Sequence, residues 1–131
     1  MNRMSLLMAA GVLSLPGAAL ADTAACNAER GRQTFLLCES CHATTSPESS
    51  NTGPSLLGLF GRKAGTLKGY EFSAAMTASG IVWSRETLMK YLEKPSRAVP
   101  GTTMTFIGLK DPVQRADLVC YLEQATRPAK R

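Results

Sequence analysis

Cys38-Glu39-Ser40-Cys41-His42 is the most informative stretch of this chain. It reads C-x-x-C-H, the attachment signature of a c-type haem, in which each thiol adds across a porphyrin vinyl group to form a thioether. Two intervening residues let both sulfurs reach one porphyrin, and the adjacent histidine then offers a ring nitrogen to the iron. His42 is the only histidine of the sequence, so no other imidazole competes for that role.

Two other interpretations of the cysteine pair are open at this point. C-x-x-C also marks thioredoxin-like dithiols and half of a zinc site. A zinc site needs four ligands, and only Cys26, Cys120 and His42 remain to complete it. A thioredoxin-like motif follows a strand, whereas no run of β-branched residues precedes Cys38. The motif therefore favours a covalently bound haem.

Residues 1–21 have the parts of an export signal. A positive residue precedes an apolar run over residues 6–15, and Ala19-Leu20-Ala21 fits the small-x-small rule for cleavage. The run is shorter than the roughly 20 apolar residues that a membrane-spanning helix needs, and a lipid anchor through Cys26 is a further alternative. We predict that the signal is cleaved, that residues 22–131 form one domain, and that it is exported to the periplasm of a bacterium without stable membrane insertion.

The composition indicates one small, mildly basic domain. The 131 residues carry a formal net charge of +5 at pH 7, which favours electrostatic docking to acidic proteins. No run of lysine and arginine is dense enough to indicate nucleic-acid binding. A chain of this length buries a modest core, so a large bound cofactor would supply a good part of it.

Three segments have the pattern of helices. Residues 24–37 are rich in helix formers and lead into the cysteine motif. A serine-capped helix is predicted over residues 85–93, and a final helix over residues 111–125, beginning with Asp-Pro. Glycine and proline interrupt residues 42–84 throughout. Such a long irregular segment is reasonable where a loop wraps a cofactor.

A methionine ends a second turn-forming stretch, Val99-Pro100-Gly101-Thr102-Thr103-Met104. Proline fixes the backbone and glycine frees it, which predicts an extended or turning loop. The thioether at its end is a soft, neutral ligand that suits haem iron. The alternative is that Met104 is one more core methionine, like Met76 and Met89, and its position alone leaves both interpretations open.

Together these motifs resemble a class I cytochrome c, of the mitochondrial-like or bacterial cytochrome c2 type. The likeness runs from Gly31 to Ala125 and is more specific than C-x-x-C-H alone. It implies an all-α cytochrome c fold, with three main helices, short ones, and long loops wrapped round one covalently bound haem c. The matching pieces, in chain order, are Cys38–His42, Gly53-Pro54, Gly58-Leu59-Phe60-Gly61-Arg62-Lys63, Trp83, Thr87-Leu88-Met89, Tyr91-Leu92, Pro100-Gly101-Thr102, Met104, Arg115-Ala116-Asp117-Leu118 and Tyr121-Leu122.

The resemblance implies a role for each matching residue. His42 and Met104 correspond to the axial ligands of the iron, and Cys38 and Cys41 to the thioether sites. Five further residues belong to the implied haem pocket: Pro54, whose carbonyl orients the histidine ring, Arg62 and Trp83, which hold a buried propionate, Tyr91, which hydrogen-bonds near the methionine sulfur, and Phe106, which lines the haem edge.

Four positions depart from the pattern of the family. Phe72 stands where the family usually has a tyrosine on a propionate, and Met76 stands where mitochondrial members have an asparagine. Ser96 and Thr103 replace two lysines of the ring around the haem edge, although neighbouring basic residues keep some charge. We therefore expect a docking surface that differs from the mitochondrial one.

Cys26 and Cys120 are additional cysteines. The resemblance puts them on the first and last helices, which are expected to pack together, and an exported protein retains disulfides. We therefore expect a Cys26–Cys120 disulfide, with two unpaired thiols as the alternative.

The function that the resemblance implies is that of a soluble one-electron shuttle rather than an enzyme. His/Met ligation fills both axial positions and leaves no place for a substrate. A monomer would meet acidic redox partners transiently, such as a membrane oxidoreductase, a terminal oxidase or a reaction centre of a respiratory or photosynthetic chain. Two alternatives are a five-coordinate or labile-methionine haem protein with peroxidase or gas-binding activity, and a fixed electron-transfer subunit of a periplasmic dehydrogenase.

Overall fold

The computed structural model describes residues 25–130, so the predicted export signal at residues 1–21 lies outside the described residues. Five helices follow one another in this part of the chain: α1 (Ala28–Phe35), α2 (Ala74–Ala78), α3 (Arg85–Glu93), α4 (Pro95–Ala98) and α5 (Pro112–Ala125). Residues 25–130 contain no strand, only an isolated antiparallel bridge between Lys63 and Val82. The predicted all-α class, with three main helices, is confirmed. None of these helices has the length and apolar character that a membrane crossing requires.

Helix α1 is shorter than the predicted 24–37 because Asn27 caps it. The Asn27 side chain accepts a hydrogen bond from the backbone N–H of Arg30 at 2.9 Å, which starts the helix at Ala28. Beyond Phe35 the chain continues in tight turns, and the N–H groups of Cys41 and His42 both donate to the carbonyl of Cys38 at 3.0 Å. The C-x-x-C-H motif therefore continues from α1 as a series of tight turns. These turns place the side chains of the motif on one side of the chain.

Helices α1 and α5 cross at Gly31, where no side chain fits. A Cβ there would overlap the Asp117 carbonyl oxygen and lie 2.8 Å from the Cβ of Tyr121. The Asp117 side chain, 4% exposed, accepts hydrogen bonds at 2.6 Å from the Asn27 N–H and the Arg30 guanidinium. The crossing is thus closed by backbone contact and by a buried carboxylate with its charge paired.

Helix α3 begins and ends where its sequence predicts. Ser84 and Thr87 form a reciprocal capping box at its start. It ends at Glu93, before Pro95, which opens the short α4 instead of continuing α3. The core lies between α1, α3, α5 and the irregular segment, and its most buried apolar side chains are Leu59, Ala64, Leu88, Tyr91, Leu92, Val99, Leu118, Val119 and Leu122.

The irregular segment between the cysteine motif and α2 is held by scattered contacts. The Leu56 N–H donates to the carbonyl of Ala43 at 2.8 Å, and the Gly58 N–H donates to the carbonyl of Thr126 at 2.7 Å. The second bond ties the segment to the residue that follows α5. The segment therefore forms one wall of the protein without regular secondary structure, as the sequence predicts.

Candidate haem site

A cavity of about 370 Å³ lies against the cysteine motif. Its wall is mostly apolar, with contributions from α1, α3, α5 and both irregular segments. The structure brings nine of the eleven predicted site residues to this one wall: Cys38, Cys41, His42, Pro54, Arg62, Trp83, Tyr91, Met104 and Phe106. The other two, Cys26 and Cys120, are not part of it.

His42 is fixed by the segment that follows it. Its Nδ1 lies 2.8 Å from the carbonyl oxygen of Pro54, which can only accept, so Nδ1 carries the proton and Nε2 keeps its lone pair. Burial lowers the pKa of His42, against the opposing effect of the Pro54 carbonyl, and favours the neutral ring that binds metals. At Gly53 a Cβ would lie 2.9 Å from the Cε1 of His42, so the backbone can approach the ring only because a glycine stands there.

Cys38 and Cys41 are half-buried on the cavity wall and are not joined in a disulfide. Burial, followed by the neighbouring Cys41, raises the pKa of the Cys38 thiol to about 11. Thioredoxin-like dithiols depend on a lowered thiol pKa, so this environment argues against that interpretation. Residues 25–130 also contain no group of three or more histidine, cysteine or acidic side chains placed to hold a metal ion, which argues against the zinc interpretation.

Met104 belongs to a closed ring of hydrogen bonds with Tyr91 and Thr102. The Met104 N–H donates to Thr102 Oγ1 at 3.3 Å, Thr102 Oγ1 lies 3.1 Å from the Tyr91 hydroxyl, and that hydroxyl donates to the Met104 sulfur at 3.4 Å. Each hydroxyl has one proton, so Thr102 donates to Tyr91. Burial raises the pKa of Tyr91, which keeps its proton available for the sulfur. The resemblance implied the tyrosine contact, whereas it included Thr102 in a matching piece without giving it a role.

The short bridge between Lys63 and Val82 brings Arg62 and Trp83 side by side. The Trp83 N–H donates to the Arg62 carbonyl at 3.0 Å. The Arg62 guanidinium donates to the carbonyls of Leu57 at 3.0 Å and Ser55 at 2.9 Å. A half-buried cation fixed on two carbonyls, beside an indole, can hold one carboxylate of a bound group.

Tyr70 is a wall residue that the sequence analysis missed. Its ring lies 4.9 Å from that of Phe72, edge to face, and both line the cavity. Phe72 has no hydroxyl, whereas Tyr70, two residues earlier, adds a tyrosine side chain to the same wall. The spacing of two between the aromatics was the available signal.

Cys26 and Cys120 lie where α5 passes the start of α1. The structure brings their sulfur atoms within bonding distance, with Cα atoms 6.0 Å apart. That Cα separation lies within the range of natural disulfides. The pair belongs to the helix crossing and is separate from the cavity wall.

The residues of the wall fit a covalently attached haem. Two thiols stand next to an imidazole whose tautomer is fixed, and the sulfur of Met104 is held by a hydroxyl donor. Around them the wall is apolar, with the Arg62 guanidinium as a partner for an acidic substituent. A soft sulfur and a neutral nitrogen are the donor set that low-spin haem iron takes in electron carriers.

Comparison with known proteins agrees with this geometry. The cytochrome c family profile matches residues 28–126. Cytochrome c from Cochliobolus lunatus is 44% identical over 102 residues, which cover 77% of this chain and 94% of that protein. Cytochrome c 2.1 from Caenorhabditis briggsae is 44% identical over 105 residues, covering 79% and 93%. Among solved structures, cytochrome cH from Methylobacterium extorquens superposes with a TM-score of 0.70 at 37% identity, covering 75% of this chain and 98% of that one.

Proposed function

Because this chain belongs to the cytochrome c family, as a class I electron-transfer protein with one covalently attached haem c, we propose that it is a soluble one-electron shuttle whose iron is ligated by His42 and Met104. The main support for the proposal is that hydrogen bonds within the protein already hold the side chains of both donor atoms, the imidazole nitrogen of His42 and the sulfur of Met104. The imidazole is held on the Pro54 carbonyl, and the sulfur is held on the Tyr91 hydroxyl. Ligands that are already in place leave little to rearrange when the charge of the site changes.

The wall residues fit a carrier better than a catalyst. The haem, when bound, supplies a one-electron couple at its iron. With His42 and Met104 as its two ligands, the iron would have no open position for a substrate. The apolar wall excludes water and disfavours extra charge, while Arg62 offsets an acidic substituent. Cys41 and Phe106 are both partly exposed on this wall, and we assign the electron exit to their side.

The same proposal extends to location and partners. The export signal predicted at residues 1–21 and the disulfide pair favour the periplasm of a bacterium. Residues 22–131 keep a net charge of +4, because Arg3 is the only charged residue of the signal, and this charge favours an acidic partner, such as a membrane oxidoreductase, a terminal oxidase or a reaction centre. Lys90, Lys94 and Arg97 line one shallow surface depression together with Glu93, so its charged side chains are positive on balance, although Lys90 is also paired with Glu86. A monomer that binds weakly through such a surface exchanges partners quickly.

The visible spectrum of the purified protein tests the ligand set. We expect a weak long-wavelength sulfur-to-iron band in the oxidised form, absent from Met104→Ala. Met89→Ala is the matched control, because Met89 is a half-buried core methionine that does not line the cavity, and this variant should keep the band. A wild-type protein with a high-spin spectrum and no such band would instead indicate the five-coordinate protein with peroxidase or gas-binding activity.

A further inference from the structure

We propose that Arg115 is a positioning residue that keeps Met104 on the iron by clamping the far end of its loop. The inference rests on the proposed His42/Met104 ligation and adds a residue that does not touch the cavity. Arg115 lies in the second turn of α5, and its guanidinium donates to the carbonyls of Leu109, at 2.5 Å, and Lys110, at 2.9 Å. These two carbonyls belong to the last residues of the loop that begins at Met104 and ends at Lys110, which we call the methionine loop.

The loop has no internal framework that could position the methionine. Within the described part of the chain, residues 103–108 make no backbone–backbone hydrogen bond, either as donors or as acceptors. Regular structure begins again at Pro112. The place of the sulfur is therefore set by the contacts at the two ends of this segment, because a free segment samples more positions as its anchors are removed.

Helix α3 supplies the first anchor and part of the second. Near the start of the loop, Tyr91 holds Thr102 and the sulfur. At its end, the Leu109 N–H donates to the Leu92 carbonyl at 2.8 Å. Between these two anchors, the backbone at Gly108 packs closely against the end of α3, since a Cβ there would lie 2.8 Å from the carbonyl carbon of Glu93.

Arg115 completes the second anchor from α5. It is only 9% exposed, and among the described residues its Nε has no hydrogen-bond partner. A buried guanidinium with an unused donor is destabilising by itself. Its Nη2 lies 3.9 Å from a Glu93 carboxylate oxygen, which faces it from α3. The Arg115 side chain nevertheless connects three elements: α5, the end of α3, and the end of the methionine loop.

Loss of this clamp should make the sulfur leave more often without unfolding the protein. An external ligand that competes with Met104 binds only the open form, so its apparent affinity rises in proportion to the open fraction. Two hydrogen bonds from a charged donor are lost in Arg115→Met. We therefore expect imidazole to bind the oxidised holoprotein roughly tenfold to a hundredfold more tightly.

The experiment is an imidazole titration of the oxidised holoprotein, followed by loss of the long-wavelength sulfur-to-iron band, with denaturant unfolding measured in parallel. Arg115→Lys keeps the charge but has no planar pair of donors, so it should fall between wild type and Arg115→Met. It also serves if Arg115→Met does not mature. Arg30→Met is the matched control, because it removes an arginine that bonds α5 from the opposite side. This control should lower stability and leave imidazole binding unchanged within about twofold.

Each outcome decides the question. Tighter imidazole binding in the Arg115 variants but not in Arg30→Met supports the clamp. Wild-type affinity in Arg115→Met, or an equal rise in Arg30→Met, overturns it and leaves the proposed ligation intact. If wild type has no band and binds imidazole as Met104→Ala does, the proposed ligation fails, and the clamp fails with it.

Discussion

Breaking the Cys26–Cys120 link should cost this protein a large part of its stability. The two cysteines are 94 residues apart in sequence, and closing a loop of that length removes unfolded-state entropy worth about 4.7 kcal/mol at 25 °C. Measured losses for native disulfides are about 2–5 kcal/mol, so the calculated value is near the upper end. In a domain of this size, a loss of 4 kcal/mol lowers Tm by roughly 15 °C or more.

Guanidinium unfolding followed by tryptophan fluorescence measures this effect. Trp83 is the only tryptophan and lines the cavity, so a bound haem quenches it until the fold opens. We expect the midpoint to fall in Cys26→Ser. A thiol reductant can also reduce the haem iron, so wild type and variant are compared in the same reductant. Their midpoints should then coincide, because the reductant opens the disulfide of wild type but not the thioether links to haem.

Two results would refute this reasoning. Denatured, unreduced wild type should titrate no free thiol, because two cysteines are disulfide-bonded and two are attached to haem; two titratable thiols would show that Cys26 and Cys120 are unpaired. Equal midpoints for wild type and Cys26→Ser without reductant would show that the link exists but does not constrain the unfolded chain. The link joins the residue two positions before α1 to the interior of α5, and these two helices pack against each other in the folded protein.

Three further predictions concern single contacts. Gly31→Ala should lower the free energy of unfolding by about 1–3 kcal/mol in denaturant, because the new Cβ would overlap the α5 backbone. Gly69→Ala is the control, because nothing lies within 4 Å of a Cβ there although φ is +82°. It should lower the free energy of unfolding by only about 1 kcal/mol. Tyr91→Phe removes the donor to the methionine sulfur, and one lost hydrogen bond should tighten imidazole binding roughly fivefold; unchanged binding would show that the hydroxyl does not hold the sulfur. The Arg30 side chain, and then a backbone N–H, lowers the pKa of Asp117 below its ordinary 3.8, so its stabilisation is present above that value and is lost as the pH falls through the folded-state pKa. Acid unfolding of Asp117→Asn should therefore show a shallower loss of stability below pH 3.8 than wild type, and equal slopes would contradict the assignment.

The sequence was most informative where the structure depends on short spacings. C-x-x-C-H predicted that both thiols and the imidazole serve one porphyrin, and the turn that carries them follows from two hydrogen bonds to the Cys38 carbonyl. The serine before α3 and the Asp-Pro before α5 predicted both helix starts correctly. The start of α1 was predicted too early, because good helix formers precede Asn27 and only its side-chain contact shows which residue caps the helix.

Contacts between residues that are far apart in the sequence could not be predicted from the spacing of motif residues. Arg115 was recognised as part of a family motif, but its two acceptors are backbone carbonyls, which every residue has and which carry no sequence signal. Arg62 likewise bonds the carbonyls of Ser55 and Leu57. The role of Thr102 depends on the distance between a helix and a loop, which is fixed only after the core has packed.

The two iron ligands of the proposed site are held in different ways, and this difference connects the carrier function with its main alternative. His42 follows Cys41 directly, so a thioether at Cys41 would tie the imidazole to the same haem and prevent it from moving away. Met104 would have no covalent link to the haem and, in the proposed arrangement, would depend on Tyr91, Thr102 and the far end of its loop. Any loosening of the fold therefore opens the methionine side first. A protein with these anchors intact transfers electrons through a closed site, whereas one without them presents an open iron to small ligands. The choice between the two activities then lies in contacts of α3 and α5 with one loop, and the imidazole affinity of the Arg115 and Tyr91 variants measures it directly.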